Sequence, residues 1–117
     1  MSKYAYIAGP VTGIPGRNRP AFEAARPVVA EILGLNRRFV CIPHDLFWPN
    51  WTGTEARAME VCLSHICCLV SDGHAMTVVA LPGWRESAGS LVEVALARKL
   101  GVPVVELVGA ELREVEG

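Results

Sequence analysis

The stretch LPGWRESAGSLVEVALARKLGVPVV, Leu81 to Val105, decides the fold. It leaves an apolar strand, turns through Pro, Gly and Ser, and enters a helical pattern over about Gly89 to Leu100. Gly101 then stops the helix and a second apolar strand begins. Strand, helix and strand in that order form a βαβ unit, whose two strands lie parallel in one sheet. The helix carries one acid, Glu93, among Val, Leu and Ala, and that carboxylate needs an explanation.

Working outward, four strands are predicted: KYAYIA (Lys3 to Ala8), RFVCIP (Arg38 to Pro43), AMTVVAL (Ala75 to Leu81) and VPVVELV (Val102 to Val108). Their β-branched and aromatic content favours strands over short buried helices. Between the first two, NRPAFEAARPVVAEILG reads as a helix with Asn18 as cap, Pro20 in the first turn and Gly34 at the stop. Pro27 is expected to kink it, because an interior proline removes a hydrogen bond. A further helix starts near TGTE, where Thr52 and Glu55 form a capping-box pattern, and continues through ARAMEVCLSHICCLVS. The tail GAELREVEG reads as a short exposed extension. Right-handed crossovers then give an α/β fold: a small doubly wound parallel sheet of four to five strands, flavodoxin-like or Rossmann-like, in three αβα layers. Residues 1–117 are expected to form one domain, with a ligand crevice at the carboxyl ends of the strands.

Composition narrows the function. The 117 residues are 51% hydrophobic with a formal net charge of -1, which fits neither a disordered chain nor a binder of nucleic-acid polymers. No apolar run reaches the roughly 18 residues that span a bilayer, and MSKYAYIAGP lacks the features of a signal peptide. A cytoplasmic protein that engages no membrane is expected. Cys41, Cys62, Cys67 and Cys68 sit among apolar neighbours without a CxxC pair and read as buried thiols. The spacing of Cys62, His65 and Cys67 matches no zinc pattern, so neither metal nor cofactor is expected.

Three segments carry candidate chemistry. YIAGPVTGIPGRNRPAF places Gly9, Gly13 and Gly16 just after the first strand, where backbone N–H groups can approach a bound group and Arg17 can meet an anion. A plain Gly/Pro turn explains the same residues. PHDLFWPNWTG sets Phe47, Trp48 and Trp51 beside His44 and Asp45, a composition suited to stacking a flat heterocycle, or to a lid packed on the core. RESAGSLVE reads in two ways. Either Ser90 caps the helix and Glu93 completes a capping box, or the Ser/Gly turn binds an anion while Glu93 points into the crevice as a nucleophile.

Together, YIAGPVTG and LPGWRESAGSLVEVALARKLGVPVV resemble the nucleoside 2-deoxyribosyltransferase superfamily over about Tyr4 to Val105. The resemblance is to its short phage-type and bacterial members and, more distantly, to the 2'-deoxynucleoside 5'-monophosphate N-glycosidases. It implies Glu93 as the catalytic nucleophile, six residues after Ser87, with Tyr6 as the tyrosine near sugar and nucleophile. Gly9, Pro10 and Val11 match the loop after the first strand. Ser87 and Gly89 match the turn that holds the sugar hydroxyl or 5'-phosphate, and serine at 87 resembles the monophosphate-using branch, where an acid beside phosphate is repulsive. Gly13, Arg17 and Trp48 complete the expected substrate-binding set.

The chemistry needs such an acid. Breaking an N-glycosidic bond builds positive charge on the sugar, which a carboxylate stabilises and traps as a glycosyl ester. Leu91 and Val92 are expected to keep the acid dry and the helix N-terminus to keep it ionised. The chain departs from the family in the stretch EVCLSHICCLVSDGHAM, where His74 or Met76 stands in place of a strand-start aspartate. Asp72, Glu60 and Asp45 are the acids left to substitute. The resemblance also implies a homodimer or larger assembly that binds a small nucleoside or nucleotide. Two rivals stand beside the enzyme: a nucleotide-binding module with a degenerate site, and a scaffold that uses the fold alone.

Overall fold

The computed structural model describes residues 2–47 and 53–115. Five strands form one sheet in the order β2-β1-β3-β4-β5. They are β1 (Lys3–Ala8), β2 (Val40–Cys41), β3 (Ala75–Ala80), β4 (Val104–Val108) and β5 (Glu111–Glu114). The first four run parallel, and β5 returns antiparallel to β4. Three helices cover the sheet: α1 (Arg19–Leu33), α2 (Glu55–Ser71) and α3 (Ala88–Lys99). This is the small three-layer α/β fold expected from the βαβ pattern. The chain reverses its direction of travel across the sheet between β1 and β3, so the ends of these strands border the crevice of a doubly wound fold.

The period of two in β1 divides the core between the faces of the sheet. Ala5 and Ile7 pack with Phe22, Ala25, Val29 and Ala30 of α1 and with Val79 and Leu81. Tyr6 and Ala8 face the other way, with Cys62 and Ile66 of α2, Ala97 of α3 and Val78. In α3 the buried positions are Ser90, Glu93, Val94 and Ala97, the spacing of one helical face.

The helix read across Pro27 is present, and several other local expectations change. The helix α1 continues through Pro27 to Leu33. Losing one hydrogen bond and distorting a turn costs about 3 kcal/mol, whereas each large apolar side chain that α1 buries returns roughly 1.5–3 kcal/mol. Asn18 sits in the left-handed region at φ 58 and makes no side-chain cap. Its Nδ2 instead donates to the Pro10 carbonyl at 2.9 Å, tying the loop after β1 to the start of α1. Gly34 does end that helix, at φ 68. For α2 the cap is Thr54, whose hydroxyl accepts from the Arg57 amide at 3.1 Å; Thr52 lies outside the described residues. The second strand shrinks to two residues because one-turn 3-10 helices at Arg37–Phe39 and Pro43–Leu46 flank it. The tail contributes an edge strand rather than a plain extension: Leu107 registers with Leu112 and Val108 with Glu111. Among the cysteines, Cys62 is buried and Cys41 partly so, but Cys67 and Cys68 are exposed on the outer side of α2.

Candidate active site

Glu93 is 5% exposed, and together with Ser90 it is a polar residue buried in a core otherwise built of apolar side chains. Its place in the second turn of α3 turns it inward, on the same stripe as Ser90 and Ala97. There the fully buried Tyr6 hydroxyl donates to Glu93 Oε2. The capping-box reading of RESAGSLVE is therefore overturned. Ser87, not Ser90, is the N-cap, and its Oγ accepts from the Ser90 amide at 3.3 Å and from the Ser90 hydroxyl at 3.0 Å. With the cap at Ser87 and the Ser87 amide bonded to the Trp84 carbonyl at 3.1 Å, Glu93 has no capping role and is left free to cross to the sheet.

Burial dominates the acid's electrostatics. Removal from water pushes the Glu93 carboxyl up to about 7, although the Tyr6 hydrogen bond opposes the rise by favouring the charged form. The carboxyl is thus half ionised at neutral pH, and the helix N-terminus does not hold it fully charged as expected. Nor do Leu91 and Val92 dry it: they are 46% and 47% exposed on the opposite side of α3. The dry wall comes from the sheet and α2, from which the Cys62 thiol comes within hydrogen-bonding reach of Tyr6. Burial pushes that thiol up to about 11, and it stays protonated. The Tyr6 hydroxyl is raised well above 10 by burial and by the neighbouring carboxylate, so it remains a donor. The His65 ring lies 6.4 Å from that of Tyr6 and is kept neutral by partial burial. In the sequence Cys62 and His65 stand out only as a spacing that fits no metal, and nothing there places them beside Tyr6.

A cavity of about 600 Å³ opens at the carboxyl ends of β1 and β2. The loop after β1 contributes Val11, Thr12, Gly13 and Arg17; His44 and Phe47 come from the segment after β2. The start of α2 closes it with Thr54, Glu55 and Ala58. Its frame is cross-linked: Thr12 Oγ1 donates to Glu55 at 2.6 Å, and His44 Nε2 donates to the Arg17 carbonyl at 2.8 Å. Burial lowers the His44 pKa, so the ring is neutral at pH 7 and carries its proton on the nitrogen that faces the carbonyl.

The expected residues therefore fall into two groups. Val11, Gly13 and Arg17 line the cavity, whereas Glu93 and Tyr6 form a separate buried pair behind it. Gly9 serves packing: a Cβ there would stand 3.0 Å from Leu81 Cβ and 3.2 Å from Phe22 Cζ. Pro10 accepts the Asn18 bond, Ser87 caps α3, and Gly89 lies under the Met59 sulfur. Trp48 and Trp51 lie outside the described residues. Glu55, unremarked in the sequence beyond its capping pattern, is the acid of the cavity wall. The other acids are occupied elsewhere. Asp45 bonds Arg26 at 2.8 Å, Glu60 pairs with Arg57 in solvent, and Asp72 lies exposed at the far end of α2. Among the described residues, no group of three or more His, Cys, Asp and Glu side chains is placed to hold a metal ion. No described helix is long and apolar enough to cross a membrane.

No curated protein and no solved structure matches the chain. One sequence family does, over residues 3–106, from the first strand into β4, and so spans both the cavity loops and the Tyr6–Glu93 pair. By that match the chain belongs to the family described as a domain of unknown function, DUF4406.

Proposed function

We propose that this protein cleaves, or transfers between bases, the N-glycosidic bond of a nucleoside or nucleotide, with Glu93 as nucleophile and Tyr6 as the group that holds it. The observation that carries the reading is the pairing of a buried carboxyl with a buried phenol beside a crevice of nucleoside size. A purely structural acid at this position has an inexpensive apolar substitute, since burying a carboxyl carries a large desolvation penalty.

In this scheme the substrate enters between the β1 loop and the start of α2, with its base against Phe47 and its polar edge toward Thr12 and Glu55. Tyr6 donates to Oε2, which leaves Oε1 of ionised Glu93 to attack C1'. The C1'–N bond breaks as the C1'–O bond forms, and the base departs with the bonding pair and takes a proton from water in the cavity, which leaves hydroxide to be neutralised by the proton released when the second nucleophile adds. Water, or a second base, then attacks C1' and releases Glu93 as carboxylate. A homodimer or larger assembly belongs to the same proposal, supported by the exposed Leu91 and Val92 on the outer side of α3.

The test combines chemistry and binding. After brief exposure to a panel of nucleosides and nucleotides, peptide mass spectrometry is expected to find a glycosyl adduct on Glu93 and free base in solution. Glu93→Gln should reduce base release roughly 10³-fold or more. A second reading is favoured by one observation, that Glu93 does not line the cavity: the pair is structural and the crevice only binds nucleotides. Thermal stabilisation by ligand with no adduct and no released base would establish that reading instead.

A further inference from the structure

The cavity and the Tyr6–Glu93 pair are separate, and Met59 lies between them along α2 while its sulfur contacts α3 at Gly89. Along α2, Thr54, Glu55 and Ala58 line the cavity, whereas Cys62 lies beside Tyr6 in the buried cluster. Met59 is half-buried between them and shares the inward stripe with Cys62 and Ile66, three and seven residues on. Along α3, the Met59 sulfur sits over Gly89, 3.2 Å from where a Cβ would be. Gly89 lies one turn before Glu93 on the same helix face, and helical side chains lean back over the turn that precedes them. The Glu93 side chain therefore leaves α3 from the face whose preceding turn Met59 covers, and its carboxyl reaches Tyr6.

We propose that the Met59 thioether is the gate between the cavity and Glu93: a substrate reaches the carboxyl only when that side chain swings off Gly89. The residue type suits the task. Methionine is unbranched, with three rotatable bonds and no polar hydrogen to satisfy, so it seals an irregular gap and leaves it at small cost. The absence of a side chain at Gly89 gives the sulfur its seat. Closed, the gate keeps the carboxyl dry; open, it joins the acid to the crevice that holds the sugar. The inference rests on Glu93 as the reacting group, but its test needs no turnover.

The full chain is treated at pH 6 with a water-soluble carbodiimide and an amine, and the rate of Glu93 amidation is read by peptide mass spectrometry. Met59→Ala is expected to raise that rate severalfold over wild type, whereas Met59→Leu, of similar volume, stays near it. Ile66→Val, which loosens α2 one turn beyond Cys62, should leave the rate unchanged. If Met59→Ala melts below the assay temperature, Met59→Val decides, with a smaller increase expected. The gate is overturned if a folded truncation at 59 labels Glu93 no faster than wild type, or if Ile66→Val speeds labelling as much. A protein that turns over nucleosides but fails the labelling test loses the gate and keeps its nucleophile. One that passes the labelling test without turnover keeps the gate and loses the reaction.

Discussion

Alternate residues of β1 enter two different environments. Ala5 and Ile7 go beneath α1 among Phe22, Val29, Val79 and Leu81, a cluster with no titratable side chain. Tyr6 goes beneath α2 and α3, where it meets Glu93 and Cys62, with His65 close by. The two faces share a strand and a backbone ladder, so the difference lies in what each helix brings. The α1 face contributes apolar area to stability. The opposite face sacrifices part of that gain by burying a carboxyl.

Truncating the aliphatic face should give the largest effect on stability and the smallest on the acid. Phe22→Ala, at a fully buried position, is expected to cost about 4 kcal/mol through lost burial and the cavity left behind. Chemical denaturation measures this, and the part of the pH dependence removed by Glu93→Gln should be unchanged, while the part owed to His44, whose ring packs on Phe22 at 4.8 Å, should shrink. A change in the Glu93 part would show that the two faces do not act independently.

On the polar face, pH is the probe. The folded Glu93 carboxyl titrates at about 7 against an ordinary value of 4.5. Between those values the folded protein holds a proton that the unfolded chain has released. Stability therefore falls as pH rises through this window, by about 3 kcal/mol, and is level above it. Denaturation curves from pH 4 to pH 8 should show this decline in the wild type and its loss in Glu93→Gln, which keeps the opposite rise with pH contributed by His44 and His65, both lowered by burial. A wild-type profile identical to that of Glu93→Gln would mean that the carboxyl is better solvated than its burial implies.

The smallest effect separates the phenol from the acid. Tyr6→Phe retains the ring and deletes the donor, leaving the ionised Glu93 short of a partner at a cost of about 2 kcal/mol at pH 8. Because the hydroxyl lowers the Glu93 pKa, its loss should move the titration higher and extend the decline in stability to higher pH. An unchanged titration would place the Tyr6 hydroxyl outside the electrostatics of the acid.

How far these features were legible follows from their range along the chain. The alternation in KYAYIA and the periodicity around Glu93 are local, and both survive in β1 and α3. The capping of α3 was misassigned because Ser87 and Ser90 both satisfy a pattern one turn long, and only the geometry selects Ser87. Leu91 and Val92 read as core by type, yet they are exposed, because hydrophobicity does not say which side of a helix meets the sheet when apolar residues surround it. Met59 gives no signal for a related reason, and Cys62 and Glu55 signal only a buried thiol and a helix cap: in α2 they look like ordinary members of an amphipathic helix.

By itself the sequence determined the alternation of strand and helix, the parallel crossovers and the three-layer architecture, since these depend on periodicity and turn residues within short windows. It also singled out Glu93 as an acid in apolar company. Only the tertiary structure decided that this acid faces inward, meets a tyrosine 87 positions away and stands apart from the cavity. Such contacts arise when the sheet closes and two distant segments are buried together. No local pattern encodes that pairing, and the carboxyl owes its raised pKa to the burial and its hydrogen bond to Tyr6.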